Sequence, residues 1–284
     1  MTASLETLVI AACVFADPLP IPRPGPDGKA TDAEPIALSV AQAALGIPSD
    51  RRFLGMIGRL LPGWFPGLPG QSQFNRRLRR LTPQIVAVQM MLAELVAEGR
   101  VRLVDGTLIG CANYPSCARH SHFAGDAAYG YRPSKSQFVW GMRLVLLCDP
   151  RGVPVGYDLV GPKTGEERES ALRLASAHPD TLLFADGGFW GREFRSSVEA
   201  LRIGLVTPDR HRLGERPPAE VANARIRLVV ESVFSTLKRQ MRLETHLAKT
   251  AAGLAQRLLA LTVGVYLNSL PGRAPRALAA YDGR

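Results

Sequence analysis

The sequence predicts a mixed α/β sheet flanked by helices and preceded by a small helical domain. Three observations support this. The first hundred residues carry helix-like segments between proline- and glycine-rich breaks. From Val101 onward, short runs rich in valine, leucine, isoleucine and aromatic residues alternate with helical segments. The last of these runs is followed by a long amphipathic helix. Strands interleaved with helices bury their apolar faces most simply as one sheet with helices on it.

Leu8–Ala16 is apolar but short. Only Glu6 precedes it, so it lacks the basic flank of a signal peptide. Asp17–Pro35 contains Pro18, Pro20, Pro22, Pro24, Pro26 and Pro35 and reads as an extended loop or linker. Ile36–Leu45 and Arg51–Leu61 read as helices, and Pro62–Gly70 breaks the chain again. A further helix carries Arg76, Arg77, Arg79 and Arg80, with Ser72 as its expected N-cap and no acidic residue between Gln71 and Thr82. Pro83–Glu98 is expected to be a helix ending at Gly99.

"VRLVDGTLIG" from Val101 reads as a first strand, and "SQFVWGMRLVLLCD" from Ser136 as a long second one. Asp149–Gly152, "DPRG", has turn chemistry that returns "VPVGYDLV" as a third strand. Glu166–Ala177 is helix-like, "TLLFADGGF" is a buried strand with a glycine turn, and Arg192–Leu201 is another helix. "IGLVTP" gives a fifth strand before the last helix, Ala224–Glu244.

A chain of 284 residues with 46% hydrophobic content holds one or two domains with a sizeable core, which excludes global disorder. No apolar run reaches the roughly 18 residues needed to span a bilayer, so a soluble, cytoplasmic protein without a membrane partner is expected. Cys13, Cys111, Cys117 and Cys148 are too few and too scattered for a disulfide framework. Cys111, Cys117, His120 and His122 lack the paired spacing of a tetrahedral zinc site. The net charge of +10 is uneven: Met1–Arg100 has 10 basic and 8 acidic residues, and the remainder has 25 and 17. Such a surface favours nucleic acid through phosphate contacts and counterion release.

Three acidic residues stand out. Asp105 lies inside the first strand, where a charge is expensive to bury without a cation or partner. Asp186 closes the fourth strand, ahead of Gly187 and Gly188. Ligands in open α/β sheets bind beyond the carboxyl ends of strands, so neighbouring first and fourth strands would bring the two aspartates together. Each also has a plainer reading, as the cap of its own glycine turn. Glu231 sits beside a helical apolar face made by Ile226, Val229, Val230, Val233, Leu237 and Met241. At about 100° per residue, Arg227, Glu231 and Lys238 share one narrow charged stripe next to that face. A solvated i, i+4 pair worth a few tenths of a kcal/mol is the plain alternative there. Three carboxylates from distant positions can hold two hard cations about 3.5–4 Å apart for phosphoryl transfer. The chain has no GxSxG, HExxH or P-loop motif.

At these residues the sequence resembles the DDE transposases of bacterial insertion sequences, over about Val101 to Leu270. "VDGT" is similar to the family's first aspartate pattern, and "ADGGFWG" to its second. Arg227-x3-Glu231-x6-Lys238 fits a branch whose signature is tyrosine, two residues, arginine, three residues, glutamate, six residues, lysine. Ala224 stands where that branch has tyrosine, and Gly187 where many relatives have lysine. "AYGYRPSKSQFVWGMRL" from Ala128 is similar to the family's second-strand region, and "GLPGQSQFNRRLRRL" to the segment before the catalytic domain.

The resemblance implies a ribonuclease H-like catalytic domain at 101–270, a helical DNA-binding region at 1–100, and a tail at 271–284. It implies cut-and-paste transposition, with Asp105, Asp186 and Glu231 holding a pair of Mg²⁺ or Mn²⁺ ions. Arg227 and Lys238 would approach the DNA backbone, with Arg76, Arg77, Arg79 and Arg80 as further DNA contacts. The expected partners are double-stranded DNA, at element terminal repeats and target, and further copies of the chain, near the bacterial nucleoid. A non-catalytic DNA-binding regulator and a ribonuclease H-like nuclease are the alternatives. Arg210, His211, Arg212 and Arg216 form either a DNA-contacting loop or a solvated charge run. Trp140 and Trp190 either pack in the core or stack on a flipped base.

Overall fold

The computed structural model describes residues 4–19, 31–112, 118, 121, 123–132, 135–208 and 218–269. The chain begins with five helices: α1 Leu5–Ala16, α2 Ala33–Ala44, α3 Asp50–Leu60, α4 Gln71–Arg80 and α5 Thr82–Val96. Then come β1 Val101–Ala112, β2 Ala128–Arg132, β3 Gln137–Cys148, β4 Pro154–Val160 and α6 Thr164–Ser176. The chain continues through β5 Leu182–Phe184, α7 Arg192–Ala200, β6 Gly204–Val206, α8 Pro218–Arg239 and α9 Ala251–Ser269. Two compact units result: Met1–Val96 with Thr236–Arg284, and Ala97–Ser235. No described helix is long and apolar enough to cross a membrane.

The first unit is helical. α9 packs against α2 and α5, and α1 against α2. The late helix therefore groups with the N-terminal helices rather than with the sheet, because Leu254, Leu258, Leu259 and Val263 are buried in it. Ser4 caps α1 by accepting the Thr7 N–H at 3.2 Å, which turns the short apolar run into a helix. α2 begins at Ala33, inside the expected linker; Pro35 falls in its first turn, where a missing N–H leaves no helical bond unmade. Ser72 is not the cap of α4: the helix starts two residues earlier than that cap would give, at Gln71, with Gly70 in the N-cap position. Arg257, 3% exposed, donates from Nε to the Met241 carbonyl at 2.7 Å, and its burial lowers its pKa to about 10.

The second unit is built on one sheet, ordered β2-β3-β1-β5-β6, with β4 also paired to β3. β1, β2 and β4 run antiparallel to β3, whereas β5 and β6 run parallel to β1 and β5. β2 and β4 share one edge of β3 end to end, against Gln137–Gly141 and Arg143–Cys148. An antiparallel meander extended by parallel strands from its first member is the ribonuclease H-like arrangement expected from the sequence. Leu144 to Cys148 are all buried, as a central strand covered on both faces requires. α6 packs against β3 and β4, and α7 against β6.

β2 is an additional strand that a count of apolar runs misses. Its Tyr129 and Tyr131 point outward, and its buried Gly130 has room for no side chain: a Cβ there would lie 2.6 Å from Pro162. The Asp149 turn forms as expected. Asp149 is fully buried and accepts the N–H groups of Arg151 and Val153, each at 2.9 Å, while Gly152 takes φ +85°.

Candidate active site

β1 and β5 bring Asp105 and Asp186 into line. Their parallel pairing runs from Val101–Leu182 to Leu103–Phe184 and stops there. The same register, continued two residues, places Asp105 level with Asp186 on strands that are about 4.8 Å apart where paired. β1 runs on beyond this point against β3, while β5 ends. The carboxyl end of β5 thus opens beside a continuing strand, which is where open α/β sheets take ligands.

The plainer capping role is present as well. Asp105 Oδ1 accepts the Gly106 N–H at 2.8 Å, and Asp186 Oδ1 accepts the Gly188 N–H at 2.7 Å, capping the short 3₁₀ turn Gly187–Phe189. Among the described residues, Oδ2 of neither aspartate makes a hydrogen bond. Capping thus engages one oxygen of each carboxylate.

Desolvation pushes the Asp105 carboxyl up to about 7. The Gly106 N–H opposes the rise; the negative charge of Asp186 adds to it, Arg227 opposes it, and Glu167 adds a further increment. Two aspartates, Glu167 and one arginine of α8 therefore act within one electrostatic neighbourhood. Glu231 lies one helical turn from Arg227, with Oε1 4.0 Å from Arg227 Nη2. Val230, Val233 and Phe234 are buried alongside, so the charged stripe does run beside an apolar face. Glu231 itself is 55% exposed. Lys238 is half-buried in the last turn of α8, past the unit boundary at Thr236.

Among the described residues, no group of three or more histidine, cysteine, aspartate or glutamate side chains lies close enough to hold a metal ion. The triad is therefore not a ready-made cage. Its donor chemistry nevertheless fits a hard divalent cation: the donors are carboxylate oxygens, and Asp105 is a crowded acid whose ionised form needs positive charge nearby.

Glu167 carries no signal in the sequence. It lies in the first turns of α6, where a run of acidic residues reads as ordinary helix-dipole chemistry. Its Oε2 is 3.1 Å from Arg143 Nη1, and both side chains are largely buried. Desolvation raises its pKa against the pull of Arg143, and Asp186 adds to the rise. No residue-type pattern finds it, because the contact depends on how α6 packs on β3.

The arginines of α4 divide into two sets. Arg77 and Arg80 each place Nη2 3.1 Å from Oδ1 of Asp32, which is 6% exposed, whereas Arg76 and Arg79 are exposed. Gly70, Gln71, Ser72 and Gln73 with Arg76, Arg77 and Arg80 line a pocket of about 710 Å³. Trp140 is half-buried opposite Tyr129 on β2, and Trp190 is half exposed after the Asp186 turn. Burial raises the Cys111 thiol to about 11. Cys117, His120, His122, Arg210, His211, Arg212 and Arg216 lie outside the described residues.

A ribonuclease H-like strand order, with one aspartate within β1 and another just past the end of the neighbouring parallel β5, defines the class of fold. Residues 97–267 match the family model of the transposase DDE domain, well over half of the chain. The chain belongs to this transposase family, whose members carry out nuclease and transposition chemistry and generally use divalent metals. No curated protein matches it in sequence. Among solved structures it is similar to the piggyBac transposase synaptic complex with hairpin DNA, at 10% identity and TM-score 0.49, over 98% of this chain and 76% of that one. It is also similar to the Mos1 transposase paired-end complex with the left transposon end, at 13% identity and TM-score 0.26, over 89% and 82%. The Mos1 mariner paired-end complex with Mn aligns at 12% identity and TM-score 0.25, over 91% and 83%.

Proposed function

We propose that this chain is an insertion-sequence transposase that nicks DNA at the ends of its element and joins the freed 3′-hydroxyls to target DNA, by cut-and-paste transposition. The level placement of Asp105 and Asp186, with the charge of Arg227 on α8 acting on Asp105, supports this reading most directly. Asp105, Asp186 and Glu231 would hold Mg²⁺ or Mn²⁺, as a pair of ions. When bound, such ions supply an activated water and neutralise charge on the phosphate. Asp105 would hold an ion as its ionised carboxylate, its proton passing to solvent. Arg227 would offset the negative charge beside Asp105, and Arg227 and Lys238 would approach the phosphate backbone. In the second half of the reaction the 3′-oxygen bonds to a target phosphorus and displaces the target's own 3′-oxygen.

The helical region 1–100 would bind DNA through Arg76 and Arg79, with Arg77 and Arg80 contributing charge while held on Asp32. The region 101–270 carries the chemistry, and 271–284 is a tail. The partners are double-stranded DNA and further copies of the chain, since two element ends must be paired, and the setting is the cytoplasm beside the nucleoid. Glu231→Gln tests the assignment: cleavage of element-end DNA should be lost while duplex binding persists, and normal cutting by this variant refutes it.

The exposure of Glu231, together with alanine rather than tyrosine at position 224, favours one second reading, a transposase-derived DNA-binding regulator without catalysis. Mg²⁺-dependent nicking by the wild-type protein excludes that reading. Nicking without strand transfer would instead make the protein a ribonuclease H-like nuclease.

A further inference from the structure

Each aspartate of the site holds the N–H of a glycine, and each of those glycines is braced by one of two adjacent residues of α6. On the Asp186 side, Arg168 Nε and Nη2 donate to the Gly188 carbonyl at 3.1 and 2.7 Å, and Nη2 also donates to the Trp190 carbonyl at 3.1 Å. Gly188 is thus held on both sides, its N–H by Asp186 and its carbonyl by Arg168. On the Asp105 side, Gly106 gives its N–H to Asp105, and Glu167, fixed by Arg143, occupies the space where a side chain of residue 106 would go.

We propose that α6 sets the two aspartates in place, with Arg168 as a positioning residue for Asp186 and Glu167 as its counterpart for Asp105. The proposal rests on the reading of Asp105 and Asp186 as cation ligands. Arg168 suits the task because its planar fork reaches two carbonyls from a fixed geometry, which a lysine's single ammonium cannot do. The turn it holds is short: one 3₁₀ turn, Gly187–Phe189, separates Asp186 from Trp190. Without the fork, the Gly188–Phe189 peptide keeps only the Phe189 N–H bond to the Asp186 carbonyl at 3.1 Å, and the turn that directs the Asp186 carboxylate is held less firmly. Arg168 acts through the backbone of that turn, because its bonds there go to main-chain carbonyls.

The experiment compares wild type, Arg168→Gln, Arg168→Lys and Asp186→Asn as full chains. Mn²⁺ binding is measured by calorimetry without DNA, duplex binding by fluorescence anisotropy in chelator, and folding by thermal midpoint. Nicking kinetics are resolved into kcat and KM. Substitutions of residues that orient metal ligands typically lower metal affinity or activity about 10–100-fold, and Arg168→Gln is expected in that range for both Mn²⁺ affinity and kcat, with KM for DNA held. Arg168→Lys should fall between it and wild type, and it carries the test alone if the glutamine variant does not fold. Unchanged Mn²⁺ affinity and kcat in the folded Arg168 variants, with both lost in Asp186→Asn, overturn the positioning role and leave the acidic site standing. Wild-type Mn²⁺ binding by Asp186→Asn overturns the acidic site itself, and the positioning role with it.

Discussion

A Cβ on Gly106 would overlap Oε1 of Glu167, far inside any real contact. Gly106 is also paired within the sheet, opposite Val145, so its backbone has little room to retreat. Gly106→Ala must therefore displace Glu167, and with it the ion pair to Arg143. Overpacking of this kind costs about 1–3 kcal/mol. Removing the obstructing carboxylate should relieve it: the double variant Gly106→Ala/Glu167→Ala should be less destabilised than the sum of the two single variants, by a coupling of about 0.5–3 kcal/mol. Urea unfolding of the four proteins measures this, and strict additivity would show that the two residues do not compete for space.

Asp105 makes the stability of the protein depend on pH in an unusual direction. Its folded-state pKa, about 7, lies above the ordinary 3.8. Between those values the folded chain holds a proton that the unfolded chain has released, so its contribution is fully favourable below about pH 4 and is lost as pH rises towards 7. Each unit of difference corresponds to about 1.4 kcal/mol, which puts an upper bound on the order of 4 kcal/mol on the loss. Asp105→Asn should be the more stable protein at pH 8, with its advantage shrinking toward pH 4. Divalent cations should reverse the wild-type trend, and their binding near pH 6.5 should release a proton that the asparagine variant does not release. Calorimetry in two buffers of different ionisation enthalpy reads that proton directly.

The sheet and its acidic residues are legible in the sequence because the signals are local. Val101–Gly110, the long run ending at Cys148 and the Asp149 turn each declare themselves within a dozen residues. Asp105 and Asp186 stand out because a carboxylate in or at the end of a buried strand is costly. Glu167 and Arg168 are not legible, since their meaning lies in contacts to Gly106, Arg143 and Gly188 that no spacing encodes. The packing of α9 on α2 and α5 is hidden for the same reason. β2 escapes notice because Tyr129, Gly130 and Tyr131 put their bulk on the solvent side and leave the inner face to a glycine.

The four arginines of α4 should separate into two phenotypes. Arg76 and Arg79 are exposed, whereas Arg77 and Arg80 are tied to the buried Asp32. Alanine at 76 or 79 should weaken duplex binding across sequences and lower the slope of log affinity against log salt by about one for each phosphate no longer neutralised. The folded stability should hardly move. Arg77→Ala should destabilise instead, because it takes a charged partner from the buried Asp32, and Asp32→Asn should do the same. Anisotropy titrations at several salt concentrations, paired with thermal unfolding, distinguish the sets; identical behaviour of all four would remove the division.

Arg227 decides between the plain and the functional reading of α8. If the helix merely carries a solvated pair, Arg227 and Glu231 at 4.0 Å contribute a few tenths of a kcal/mol to stability and nothing to the sheet. The positive charge of Arg227 is, however, one of the influences that hold the Asp105 pKa down. Arg227→Met should therefore raise the Asp105 pKa further and shift the acid limb of Mg²⁺-dependent nicking to higher pH, while Arg227→Lys should keep it near its original position. Glu231→Gln cannot serve for this comparison, because it removes a proposed ligand. Arg239, exposed at the end of the same helix, supplies the control: Arg239→Met removes equal charge and should leave the acid limb where it was. A pH profile identical in wild type and Arg227→Met would return the stripe to its plain reading, as a solvent-facing edge of an amphipathic helix.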